Sequence, residues 1–225
     1  MKTEFRYGDW NQRTFNYLLS VPEERQEDLP LLIYLHGAGE RGTKLEHVQV
    51  HAIPKLIRAG AEIPAIVLCP QCPAAYVWNN VVADLKNLID EIVLEFGILP
   101  DRICITGSSM GGYGTWEMGL TYRNFFSALV PVAGGAMAWR AANLRTTPIR
   151  TWHGDLDDAV TIANSIEMVE AVNKTGGCAV LETLKGFGHN DGIDEAYRNT
   201  DLIPWLLKQR RTDFSYVTEV CEGMF

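Results

Sequence analysis

Seven short runs of apolar and β-branched residues, at 16–21, 31–35, 65–69, 102–106, 128–133, 149–152 and 180–184, recur along this chain with amphipathic stretches between them. That alternation constrains the fold more than any other feature. A strand buried on both faces reads as a continuous apolar run, whereas a strand with one wet face alternates with period two. "LLIYL" at 31–35 is of the first kind. Between the runs, "NVVADLKNLIDEIVLEFG" places Val82, Leu85, Leu88, Ile89, Ile92, Val93 and Phe96 on one helical stripe. "TIANSIEMVEAVNKTGG" repeats the pattern and meets a helix stop at Gly176-Gly177. The tail "DEAYRNTDLIPWLLKQRR" predicts a closing helix broken near Pro204. Together these predict an α/β chain, a mostly parallel, doubly wound sheet flanked by helices. No repeat, low-complexity tract or long linker divides it, so one domain over residues 1–225 is expected. In such sheets ligand-binding residues gather on loops at the carboxyl ends of the strands.

Composition narrows the partners. A net charge of −8 argues against nucleic acid and anionic membrane surfaces. No apolar run approaches the roughly 20 residues that span a bilayer, and "MKTEFRYGDWNQRTF" is too polar for a signal peptide. Five cysteines, an odd number, read as buried or free thiols in a reducing compartment, so a cytoplasmic protein is expected.

The most informative loop follows the run at 102–106. "RICITGSSMGGYG" sets Ser108 and Ser109 among Gly107, Gly111, Gly112 and Gly114, and a helix is expected from Met110 to about Tyr122. In Gly-x-Ser-x-Gly between strand and helix, the chain reverses so sharply that the central serine is strained and its hydroxyl exposed. Glycines two residues to either side avoid a collision. A glycine-rich turn with a capping serine is the plainer reading, and Ser108 suits that role, but Ser109 sits at the apex.

A serine hydroxyl needs a base to take its proton. In this arrangement the partners follow in the order serine, acid, histidine. Of the five histidines only His153 and His189 lie after Ser109, and only His189 has carboxylates suitably upstream, in "WHGDLDDAV". Asp155, Asp157 and Asp158 compete for the acid. Asp157 is the choice and Asp158 the runner-up, since a carboxylate there also suits the start of the helix expected near Val160. An oxyanion hole needs backbone N–H groups aimed at the developing charge. Met110 supplies one; the loop "HGAGERG" supplies the other from Ala38 or Gly39, with Ala38 preferred. Trp78, in "PAAYVWNN", is the candidate substrate contact.

Four segments together resemble the α/β-hydrolase superfamily: Gly107-Ser108-Ser109-Met110-Gly111-Gly112, His36 to Gly42, His153 to Asp157 with Val160, and Gly188-His189. The likeness runs from about Tyr17 to Arg211 and is strongest to small serine esterases, phospholipase/carboxylesterases, and proteins like feruloyl esterase or dienelactone hydrolase. It implies hydrolysis of carboxylic esters through an acyl-enzyme, with no metal or organic cofactor and a small-molecule ester as substrate. It also implies that the acid stands three residues after the strand-end His-Gly, at Asp157. Where such relatives often carry an aromatic after the catalytic histidine, this chain has Gly192. The segment 134–148 is too short for a large lid, so an open site for small or exposed esters is expected.

Rival readings exist for several motifs. A serine peptidase or thioesterase would use the same triad. A non-catalytic binding protein would keep the fold without needing Ser109, Asp157 and His189 together. Gly37-Ala38-Gly39-Glu40-Arg41-Gly42 also satisfies a dinucleotide-binding fingerprint, but Glu62 precedes the second strand instead of ending it. Cys69 and Cys72 form a C-x-x-C without a second pair at zinc spacing. His47 and His51 are spaced for one helix face, with Val48 where a metalloprotease has glutamate.

Overall fold

The computed structural model describes residues 1–24 and 27–214. Eight strands form one sheet in the order β1-β2-β4-β3-β5-β6-β7-β8. They are β1 (Lys2–Arg6), β2 (Asn16–Val21), β3 (Leu31–Leu35), β4 (Ile66–Gln71), β5 (Ile103–Ser108), β6 (Ala128–Val132), β7 (Ile149–Gly154) and β8 (Ala179–Leu184). β1 and β2 run antiparallel, as do β2 and β4, and every other pairing is parallel. β1 is the strand that the sequence pattern misses. "KTEFR" is mostly polar, and its pairing with β2 from Lys2↔Val21 to Arg6↔Tyr17 holds it at the sheet edge.

The sheet divides the core into two layers, and the period-two alternation of each strand feeds both. Leu31, Ile33 and Leu35 of β3 face one side with Ile103 and Ile105 of β5; Leu32, Tyr34 and Cys104 face the other. The first layer is covered by α2 (Val82–Phe96), α3 (Met110–Thr121) and α4 (Ala163–Lys174). Leu85, Leu88, Ile89 and Ile92 of the expected stripe are buried there. The second layer is covered by α1 (Ala52–Arg58), α5 (His189–Asn199) and α6 (Leu202–Lys208) through Ile53, Ile193, Tyr197, Leu202 and Leu206.

The closing helix does break, but at Thr200-Asp201 and not at Pro204. Pro204 is the third residue of α6, where its missing N–H is one of the donors a helix start leaves unused. No described helix is long and apolar enough to cross a membrane.

β3 has β4 on one side and β5 on the other. The chain thus leaves β3 for one neighbour and returns to build on the opposite edge, which opens a crevice at the carboxyl ends. The turns after β3 and β5 flank that crevice.

Candidate active site

Ser109 stands between β5 and α3 at φ 56°, ψ −120°, one of the few non-glycine residues with positive φ. Such a conformation costs about 1–3 kcal/mol and persists only where its surroundings over-determine it. The surroundings do so here. A Cβ at Gly111 would lie 1.9 Å from the Leu35 carbonyl oxygen, and one at Gly107 would lie 2.4 Å from the Gly111 oxygen. The backbones of β3, β5 and α3 therefore meet closer than any side chain permits. The Ser109 N–H donates to Val132 O at 3.0 Å, pinning the elbow to the end of β6. Ser109 makes no side-chain cap to its helix, which leaves the hydroxyl free, while Ser108 turns inward to Tyr34 Oη at 3.1 Å.

The hydroxyl meets His189, whose Nε2 lies 2.8 Å from Ser109 Oγ. His189 Nδ1 lies 2.6 Å from Asp157 Oδ2. A carboxylate only accepts, so the Nδ1 proton donates to Asp157 and Nε2 is left to receive the serine proton. His189 opens α5 directly after Gly188, so the expected loop position is a helix start.

Asp157 is fully buried at its side chain. Its Oδ1 accepts from the N–H groups of Ala159 at 3.0 Å and Val160 at 2.8 Å. Asp158 is exposed, and the turn-capping role expected of it belongs to Asp157. Asp155 accepts from the Gly186 N–H at 2.7 Å.

On the opposite flank, residues 38–40 form a single 3-10 turn after β3. A methyl group at Gly37 would lie 3.7 Å from Ser109 Cβ, so this turn runs beside the nucleophile. Arg41 Nε donates to Ala38 O at 3.0 Å and steadies it. Met110 is the first residue of α3, where N–H groups lack intrahelical acceptors.

Glu40 lies under the turn, 6% exposed, its Oε2 3.5 Å from His36 Nδ1. Burial disfavours its charge, but the nearby His36 and His51 imidazoles outweigh that and hold the carboxyl below its ordinary range. Sequence reasoning assigned Glu40 no role; no local pattern marks it.

Trp78 corrects an expectation. It is completely buried, with Nε1 donating to His36 O at 2.9 Å and its ring edge-on to the His36 ring 5.0 Å away. It packs beneath the turn after β3 and presents nothing to a substrate. The C-x-x-C also resolves structurally. Both thiols are buried, and burial pushes Cys72 up to about 12 and Cys69 higher still, so neither ionises near neutral pH. His47 and His51 lie on different elements, the 3-10 segment Leu45–Val50 and the cap of α1.

A serine on a strand-to-helix elbow, with an acid and a histidine from later loops of the same mostly parallel sheet, defines the α/β-hydrolase class. Within that class the chain belongs to the phospholipase/carboxylesterase family, whose model matches residues 75–196, more than half of its length. It is 22% identical over 246 residues to poly(3-hydroxyalkanoate) depolymerase C of Paucimonas lemoignei, covering 90% of this chain and 58% of that protein. Among solved structures it is similar to a thermostable esterase, with TM-score 0.76 and 29% identity over 88% of this chain and 60% of that one. Esterase PE8 shares the fold with TM-score 0.67 and 20% identity, over 86% of this chain and all of that one. The chain thus spans about three fifths of the first two relatives' lengths.

Proposed function

We propose that this protein is a serine-dependent hydrolase of carboxylic esters working through an acyl-enzyme intermediate. One observation carries the reading: Ser109 Oγ, His189 and Asp157 form a continuous hydrogen-bonded chain at a strained elbow, with links of 2.8 and 2.6 Å.

Each group has a role. Ser109 attacks the ester carbonyl as His189 Nε2 takes its proton. The imidazolium then returns that proton to the departing alkoxide, and the ester C–O bond breaks. Asp157 keeps the ring in the Nδ1–H tautomer and stabilises its charge without taking the proton. Met110 and Ala38 N–H groups hold the oxyanion, the first at a helix start and the second on the turn beside Ser109. Water repeats the cycle on the acyl-enzyme to release the acid.

The reading extends to one domain, a small-molecule ester as substrate, and no metal or organic cofactor in the reaction. Residues 138–144, within the segment where a lid would sit, form a 3-10 helix packed on α3 and α4, which supports an open site for small or exposed esters. The free thiols of Cys69, Cys72, Cys104 and Cys178 suit the cytoplasm; Cys221 lies outside the described residues.

A fluorophosphonate is expected to modify Ser109 alone and abolish hydrolysis of p-nitrophenyl acetate; an unmodified protein refutes the assignment. Comparing acetyl, butyryl and feruloyl esters with thioester and peptide substrates defines the acyl preference. Faster turnover of long-chain than of acetyl esters contradicts the open site.

A further inference from the structure

We infer that His153 is a positioning residue for Asp157, its ring fixed in one tautomer by Ser165 so that it braces the turn carrying the acid. This rests on the triad reading above. His153 stands at the end of β7, four residues before Asp157, and its side chain is fully buried. Ser109 Oγ is engaged by His189 instead. Its ring has both nitrogens engaged, Nε2 at 2.7 Å from Val160 O and Nδ1 at 2.7 Å from Ser165 Oγ.

The proton positions follow from the partners. A carbonyl oxygen only accepts, so Nε2 carries the proton toward Val160. Burial pushes the imidazole below its ordinary value of 6.5, so the ring is neutral and Nδ1 is bare. Ser165 has a single hydroxyl proton and three neighbours able to accept it, Nδ1 at 2.7 Å, Gly134 O at 3.1 Å and Thr151 Oγ1 at 3.4 Å. The nearest takes it. Ser165 is the third residue of α4, so this bond ties the helix to the strand end.

Val160 is therefore held from both sides. Its carbonyl accepts from His153 while its N–H donates to Asp157 Oδ1 at 2.8 Å. His153 Nε2 also lies 3.3 Å from Asp157 Oδ2, the oxygen that receives His189. In the opposite tautomer a bare Nε2 would face two oxygens, Val160 O and Asp157 Oδ2, and repel both. The turn from Asp157 to Val160 would open, and the carboxylate would lose its aim at His189. The ionisable groups facing the ring are Asp157 and His189.

Two measurements test this. Nitrogen NMR of the ¹⁵N-histidine-labelled wild-type enzyme is expected to show His153 neutral, protonated at Nε2 and bare at Nδ1; an Nδ1–H tautomer or an imidazolium at neutral pH overturns it. In kinetics, His153→Leu is expected to lower kcat about tenfold to a hundredfold, the scale of a small misplacement remote from the chemistry, with KM changed by less than about twofold. His153→Gln, which offers an N–H where Nε2 stands, is expected to recover most of that loss, and Ser165→Ala to fall between. Unchanged turnover in His153→Leu, or a glutamine variant as slow as leucine with a folded spectrum, refutes positioning. Should His153→Leu not fold, Ser165→Ala and the wild-type tautomer decide. Fluorophosphonate labelling separates the two readings: an unlabelled wild type defeats the triad itself, whereas a labelled wild type with His153→Leu labelled equally fast defeats only the role of His153.

Discussion

The turn after β3 opens with His36-Gly37 and β7 closes with His153-Gly154, so the same His-Gly dipeptide stands on opposite flanks of Ser109. Both imidazoles are buried, and both commit each nitrogen to protein atoms. Yet their protons sit on opposite nitrogens. His36 Nε2 accepts from the Cys72 N–H at 2.9 Å, so its proton is on Nδ1, donated to Gly37 O at 2.6 Å. His153 Nε2 faces a carbonyl instead, so its proton is there. The same dipeptide serves as a buried peg in both places, and the neighbour's polarity decides which way it is wired. One peg sits under the turn that bears the proposed oxyanion donor Ala38; the other sits under the turn that bears the proposed acid Asp157. On the proposed mechanism, the oxyanion site and the base therefore rest on separate supports.

Damage to the two flanks should then look different. Asp157→Asn is expected to cost about 10⁴ in kcat through the wrong His189 tautomer, while exposed Asp158→Asn stays within about twofold; initial rates on one ester decide, and reversal of the pair overturns the acid assignment. On the other flank, His36→Leu should cost about 10²-fold, comparable to loss of an oxyanion donor. Because His189 keeps its partners, the acid limb of the pH–rate profile should stay in place, and a displaced limb would show that the flanks are coupled. Trp78→Phe removes the donor to His36 O and leaves a buried carbonyl unpaired, a loss of about 1–3 kcal/mol in urea unfolding with turnover reduced only a few-fold. A drop in kcat as large as that of His36→Leu would return Trp78 to the reaction itself.

The smallest effect is on the pH dependence of stability. His153 and Glu40 both titrate below their ordinary values in the fold, so the unfolded chain binds the proton more readily and stability falls on acidification. The windows differ. The His153 contribution is full above about pH 6.5 and is lost as pH falls through the folded value below it; that of Glu40 is full above about 4.5 and is lost below. Urea midpoints against pH should flatten in the upper window for His153→Gln and in the lower one for Glu40→Gln. The same change in both variants would break the distinction.

Much of this was legible along the chain because its causes are local. Continuous apolar runs announced the parallel strands, and the stripe from Val82 to Phe96 announced α2. Where β1 and the helix break at Thr200 escaped notice, the deciding interactions were pairing with β2 and the separate docking of α5 and α6, which no short window contains. Trp78 misled because an aromatic in a loop-like stretch reads as surface until its burial is seen.

By itself the sequence determined strands β2 to β8, the serine at the elbow and the histidine whose ring meets it. Glycine spacing is a steric requirement on adjacent residues, and chain order left one histidine with acids in the right place. Only the tertiary structure brought Asp157, and not Asp158, within hydrogen-bonding reach of His189, put Trp78 in the core, and set the opposite tautomers of His36 and His153. Those outcomes depend on which donor or acceptor a fold of the backbone brings within 3 Å of a side chain from elsewhere in the sequence.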